Sequence, residues 1–305
     1  MGLDSKEMLR RLGAGDSPRL GRDDVARMHQ DALSLRAVDG VPRLLKSLAS
    51  IPEALADARI AEAVQRLAAW DGRMEPDRVG ATIFDAFFVH FCRAVAAERF
   101  TGDAVDLVAG AAGGLAAALL GDDAPGWFAP GGRETALLQA MRATLDELTG
   151  RLGQDIGAWT WGRLHQIRLL HVLSGRGDLG RLLDRGGLPV RGDGVTVCNT
   201  GYDPNYLAPM GANYGLIADL AQDPPGLWAV DAQGSSGHPG SRHYGDQLAE
   251  WLGARYHYLP LDPAEASHTF QTRLALLPED GDKSSSRHGT VGRTSSPETA
   301  SGPGR

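Results

Sequence analysis

The chain has 305 residues, of which 42% are apolar and 23% charged, with a formal net charge of −7. That length and composition support a sizeable packed core and exclude a mostly disordered or fibrous chain. The acidic balance argues against a nucleic-acid binder, which needs a basic face to neutralise phosphate.

Gly at 40 positions and Pro at 17 indicate a loop-rich fold rather than a plain helical bundle. Only Cys92 and Cys198 carry thiols. Both sit in apolar stretches, so buried free thiols are expected, with a single bridge between them as the alternative. The first residues are polar and contain no apolar signal segment. The apolar window Val105–Leu120 is Gly/Ala-rich, contains Asp106 and is too short to span a bilayer. The chain as written reads as soluble.

The first half reads as helices. Val25, Met28, Ala32 and Leu35 recur at helical steps between Arg22 and Leu35. Ile60, Val64, Leu67 and Ala68 do the same before Trp70-Asp71-Gly72. Ala81 to Phe100 is strongly apolar, with Phe84, Phe87, Phe88 and Phe91. Glu134 to Leu152 is another helix, ended by Gly153. The character changes near Trp159, where residues up to His171 alternate as a strand would. Short strand-prone runs follow at Gly194–Val197, Tyr214–Leu220 and Leu227–Val230, then a helix from Tyr244 to Leu252. Helices first and strands later make this an α+β chain. The expected organisation is a helical part over 1–152, a strand-rich part of the same domain over 153–280, and a disordered tail over 281–305, whose composition offers almost nothing to bury.

Common catalytic signatures are absent. Gly234-Ser-Ser-Gly237 has the wrong spacing for a nucleophile elbow. Gly110-Ala-Ala-Gly-Gly114 has no phosphate-loop Lys and reads as helix packing. His238, His243 and Asp246 invite a metal reading, since imidazole and carboxylate ligate zinc. A structured loop, with Ser241 capping the next helix, is the favoured alternative. His165 and His171, six apart, would share one strand face as a satisfied pair. Trp159 and Trp161 read as core, and Asp203-Pro-Asn205 as an Asx turn.

Four stretches together resemble the penicillin acylase (penicillin amidase) family. Met28-His-Gln-Asp-Ala-Leu-Ser-Leu-Arg-Ala37, with Pro42 and Leu44-Leu45, is similar to its Gln-x-Asp-x-x-Ser-x-x-Ala helix, with His29 standing where the family has Gln. Leu67-Ala-Ala-Trp-Asp-Gly72 resembles its Trp-Asp-Gly corner. Trp161-Gly-Arg-Leu-His165 resembles its Trp-Gly-x-x-His strand. The run from Gly192 through Gly211-Ala-Asn-Tyr214 and Gly234-Ser-Ser-Gly-His-Pro239 to Tyr244-Gly-Asp-Gln247 resembles its C-terminal signature, with Gly215 and Arg242 in place of the more typical Arg and Pro.

The resemblance implies an N-terminal-nucleophile amidohydrolase, in which a Ser hydroxyl attacks an amide carbonyl and an oxyanion hole stabilises the intermediate. It also implies that this chain supplies part of an αββα sandwich with a large helical lobe. No residue here matches the nucleophilic Ser or the oxyanion Asn, so no catalytic residue is assigned. Trp70, Trp161, His165, Gly237, His238, Tyr244 and Asp246 are expected to be structural or site-supporting. No cofactor is implied in this chain, and the family's calcium site is not carried over. The expected partner is an upstream α/β-chain segment, if encoded separately. Neither nucleic acid nor membrane is expected. Localisation is left open, although family members are often exported. The alternatives are an inactive truncated remnant and a non-catalytic α+β binding module.

Overall fold

The computed structural model describes residues 21–124, 126–270, 272, 274 and 275. The expected tail over 281–305 lies outside these residues. The described residues begin with a helical run: α1 Arg22–His29, α2 Leu35–Leu48, α3 Pro52–Leu55, α4 Ala58–Ala68, α5 Val79–Ala97, α6 Asp103–Ala111, α7 Gly113–Leu119 and α8 Gly132–Leu152.

The main core forms around α5, which is apolar on nearly every side and packs against α4 and α8. Phe87 and Phe91 stack with centroids 5.7 Å apart. Phe84, Phe87 and Phe91 are all fully buried, and each contributes roughly 1.5–3 kcal/mol by leaving water. By length and composition α5 could cross a bilayer, yet 72% of its apolar window is buried inside the protein.

The expected single helix from Arg22 to Leu35 is two helices with a corner between them. Asp31 and Ser34 cause the break. Asp31 is buried and its Oδ1 accepts from both Arg73 terminal nitrogens, at 3.0 and 3.2 Å. The Ser34 hydroxyl accepts from the Ala37 amide and caps α2. Such side-chain bonds to nearby groups compete with helix continuation. The corner is sealed by Ser34 N–H to Gly72 O and Met74 N–H to Ala32 O.

The glycine run at 110–114 does not seat a neighbouring helix. Gly110 and Gly114 face open space, and only Gly113 comes near Phe88. The run instead divides α6 from α7. Their far end is held by Arg133 of α8, which donates to the Leu119 and Leu120 carbonyls at 2.7 and 2.5 Å and to Ser47 Oγ at 2.8 Å. Gly153, at φ +95°, ends α8 as expected.

Beyond a 3-10 turn at Ile156–Ala158, the Trp159–His171 region departs from the strand reading. Trp161–Leu164 is a short helix, α9, and only Gln166–Leu169 is a strand, β1. The Trp161 and Gly162 amides donate to the carbonyls of Arg78 and Pro76, which docks α9 on the segment before α5. A Cβ at Gly162 would lie 2.7 Å from Pro189 Cβ and 2.9 Å from Pro76 Cβ, so only glycine admits this approach. Consequently His165 and His171 flank β1 and share no strand face. After helix α10, Leu179–Leu183, strand β2, Arg185–Pro189, pairs antiparallel with β1.

The Gly194–Val197 run is also not a strand. Asp193 folds it into a turn by accepting from the Val195 amide at 2.7 Å. The remaining strands, β3 Tyr214–Asp219, β4 Gly226–Asp231 and β5 His257–Pro260, form an antiparallel sheet in that order. Between β4 and β5, helix α11 covers only Leu248–Leu252. Ser241 is not its cap, because Ser241 Oγ is used by the His243 amide four residues before the helix reaches its own cap at Gln247. The last helix is α12, Pro263–Thr269. A second small core joins Ile167, Val190, Val230, Leu248 and Trp251. Trp159, Trp161, Leu164 and Tyr206 belong to the helical core, so that core continues past residue 152.

Candidate functional site

The seven residues singled out by sequence fall into two groups that do not share a site. Trp161 and His165 form a buried centre, with Trp70 packed on Phe84 of the same core. Gly237, His238, Tyr244 and Asp246 lie on or near the loop before α11.

At the centre, Trp161 at the start of α9 and His165 at its C-cap stack their rings at 4.5 Å. The Trp161 indole N–H donates to the Gly192 carbonyl at 3.0 Å. His165 is fully buried, with Nδ1 2.8 Å from the Tyr206 carbonyl and Nε2 3.0 Å from Thr200 Oγ1. Burial is the main cause that lowers its pKa to about 4, partly offset by the Tyr206 carbonyl. The ring is therefore neutral near pH 7, with Nδ1–H donating to the Tyr206 carbonyl. The Thr200 hydroxyl stands between Nε2 and the Arg191 carbonyl, to which it donates at 2.7 Å. Both nitrogens contact the protein itself, so His165 tethers the 192–206 segment.

Two acids that the sequence reading missed stand beside this centre. Asp85 of α5 and Asp193 are both essentially unexposed. Burial, then the neighbouring Asp193, raises the Asp85 pKa to about 7, although Tyr202 donates to it. Burial raises Asp193 as well, opposed by Arg36 and by bonds from the Val195 and Thr196 backbone and from Ser34. The signal was available, since Asp85 lies between Phe84 and Phe87 in the most apolar helix of the chain.

Trp70 is half-buried. Its indole N–H closes the Trp-Asp-Gly corner by donating to the Arg73 carbonyl at 2.9 Å. A Cβ at Gly80 would lie 2.4 Å from Trp70 Cβ, so the corner and the start of α5 touch.

On the 234–247 loop, Gly237 and His238 are exposed. His238 Nδ1 accepts from the Gly240 amide at 3.0 Å. Asp246 pairs with His243 Nδ1 at 2.7 Å, while His243 Nε2 accepts from Arg242. These nitrogens are used within the loop. Among the described residues no three His, Cys, Asp or Glu side chains converge as a metal site. Tyr244 is buried and donates to the Leu183 carbonyl at 2.7 Å, with Arg185 over its ring. It therefore ties this loop to the β1–β2 hairpin. Asp203 makes the expected Asx turn, accepting from Asn205 and Leu207 amides. Cys92 and Cys198 are both free and buried.

His29 and Gly215, where the sequence departs from the family pattern, line one cavity of about 160 Å³ with Val230 and Trp251.

The fold is of the α+β class, and comparison with known proteins gives the family. The chain belongs to the penicillin amidase family, whose model matches residues 5–268. It is 28% identical to the acyl-homoserine lactone acylase QuiP of Pseudomonas aeruginosa, across 87% of this chain and 35% of that protein. It is 31% identical to the penicillin acylase 2 proenzyme of Pseudomonas sp. (strain SE83), across 81% of this chain and 32% of that one. The thermostable penicillin G acylase of Alcaligenes faecalis has the same fold over 90% of this chain and 52% of its own, with a TM-score of 0.59 and 15% identity. The chain thus spans about a third of the length of these curated relatives.

Proposed function

We propose that residues 21–275 are the C-terminal scaffold of a penicillin-acylase-type amidohydrolase, an enzyme that cleaves a linear amide C–N bond in a β-lactam side chain or another N-acyl substrate. In this reading the attacking hydroxyl and the oxyanion donors come from a segment other than these residues, and this chain alone does not turn over amides. The carrying observation is the Trp161–His165 centre, whose polar groups are all spent on the protein itself. The share of the relatives' length that the chain spans supports the same reading. So does β3, an edge strand with Tyr214 and Leu216 exposed on one face, which is suited to further strands and a covering layer.

The test is turnover of a chromogenic phenylacetyl amide and of an N-acyl homoserine lactone. The full chain is assayed alone and after co-expression with the reading frame upstream of it. Activity only in the second case is expected. Activity of the chain alone overturns the assignment of the chemistry elsewhere. Absence of activity in both favours an inactive remnant or a binding module.

A further inference from the structure

A cavity of about 160 Å³ lies where the end of α1, the 189–198 segment and the β3–β4–α11 unit meet. It plays no part in the amide-hydrolysis reading. Its walls are apolar, from Val190, Val197, Val230 and Trp251. At one end, the His29 Nδ1 atom lies 2.9 Å from the Tyr256 hydroxyl.

The cavity offers no free charge. Arg191 lines it, but its guanidinium already donates to Gln30 Oε1 at 3.1 Å and pairs with Glu75 at 3.3 Å. Burial lowers the His29 pKa, which keeps that imidazole neutral near pH 7. Burial likewise pushes the Cys198 thiol up to about 12. An anion or cation would lose its hydration here without gaining a partner.

A neutral ligand with one polar atom meets no such penalty. The Tyr256 hydroxyl offers one proton and two lone pairs; His29 Nδ1 and the Gln30 side chain take two of these three positions, and in either imidazole tautomer one remains for a ligand. The size is informative as well, because an apolar protein cavity of about 150 Å³ accepts a single benzene ring. Trp251 and Tyr256 supply aromatic surface for such a ring. Gly215 keeps this end of the cavity clear, since a Cβ there would already lie 2.9 Å from the Tyr256 ring and 3.2 Å from Val230.

We propose that this cavity is a binding site for one small neutral hydroxylated aromatic molecule of the phenol class, with its ring among Val197, Val230 and Trp251 and its hydroxyl on Tyr256.

The experiment is calorimetric titration of the full chain with phenol and with toluene. Phenol should bind at one site with Kd on the order of 0.1–1 mM, the range expected for a ligand of so few atoms. It should bind about fivefold or more tightly than toluene, the worth of roughly one neutral hydrogen bond. Tyr256→Phe should erase that preference while leaving toluene binding in place. Gly215→Leu should weaken both ligands at least about tenfold, as filling a pocket of this size requires. If Gly215→Leu loses its native circular dichroism, the Tyr256→Phe comparison decides alone. The proposal is overturned by no saturable binding of phenol up to about 10 mM, tenfold above the weakest expected Kd, or by an unchanged phenol preference in Tyr256→Phe.

Discussion

Trp161 lies almost parallel to His165, with ring centroids 4.5 Å apart and 20° between the planes. Four-residue spacing on a helix stacks two side chains on one face, and His165, the residue that caps the end of α9, still holds that spacing from Trp161. Each ring then reaches past α9 to fasten a different point of the following loop, Trp161 at Gly192 and His165 at Thr200 and Tyr206. This pair joins the helical core to the segment that leads into the sheet.

The neighbouring titratable groups oppose one another in their pH dependence. His165 falls from 6.5 in the unfolded chain to about 4 in the fold. The unfolded state therefore binds the extra proton between these values, and His165 costs stability as pH falls from about 6.5 to 4. Asp85 rises from 3.8 to about 7. Here the folded state holds the extra proton, so this acid costs stability as pH rises from about 4 to 7. Asp193 is raised as well, so the two acids together oppose the histidine slope in the native chain. Urea unfolding of the double variant Asp85→Asn/Asp193→Asn should expose the histidine slope, with stability rising by on the order of 2–3 kcal/mol from pH 4 to 6.5. His165→Gln should show the opposite trend. The same slope in both variants would exclude this assignment.

Two glycine replacements should act with opposite sign. Gly162→Ala drives a methyl group into Pro76 and Pro189 and should cost about 1–3 kcal/mol by overpacking. Gly150 lies in α8 with open space around it, so Gly150→Ala should stabilise the chain by about 0.5–1 kcal/mol through helix propensity. Thermal melts of the two variants check this directly.

Arg133 is a buried cation whose guanidinium closes the end of α7 and reaches Ser47 of α2. Arg133→Met keeps much of the bulk but removes the side-chain donor from the Leu119 carbonyl and leaves the Leu120 carbonyl to Ser47 alone. A loss of about 2–4 kcal/mol is expected in denaturant unfolding. Arg133→Lys should recover only part of it, because a single ammonium cannot reproduce the planar fork.

Burial pushes both thiols up to about 12. In the native chain, Cys92 and Cys198 should therefore react with an aromatic disulfide reagent only as fast as the protein opens, and should titrate as two thiols in denaturant. Rapid labelling under native conditions would place at least one of them at an accessible site.

The local pattern alone determined the α+β order, the phenylalanine core of α5, the stop of α8 at Gly153, the Asx turn at Asp203, the two free thiols and the family. Each depends on periodicity, turn chemistry or a run of neighbouring residue types, which a sequence carries directly. Tertiary contacts decided the rest. Trp161–Leu164 becomes a helix because Gly162 fits between Pro76 and Pro189, which lie far from it in the chain. The Arg22–Leu35 helix breaks because Asp31 finds Arg73. Asp85 reads as an anomaly in an apolar helix until Asp193 and Tyr202 arrive beside it from more than a hundred residues away. The phenol-sized cavity likewise exists only where three separate segments fail to fill the space between them, and no spacing rule encodes a void.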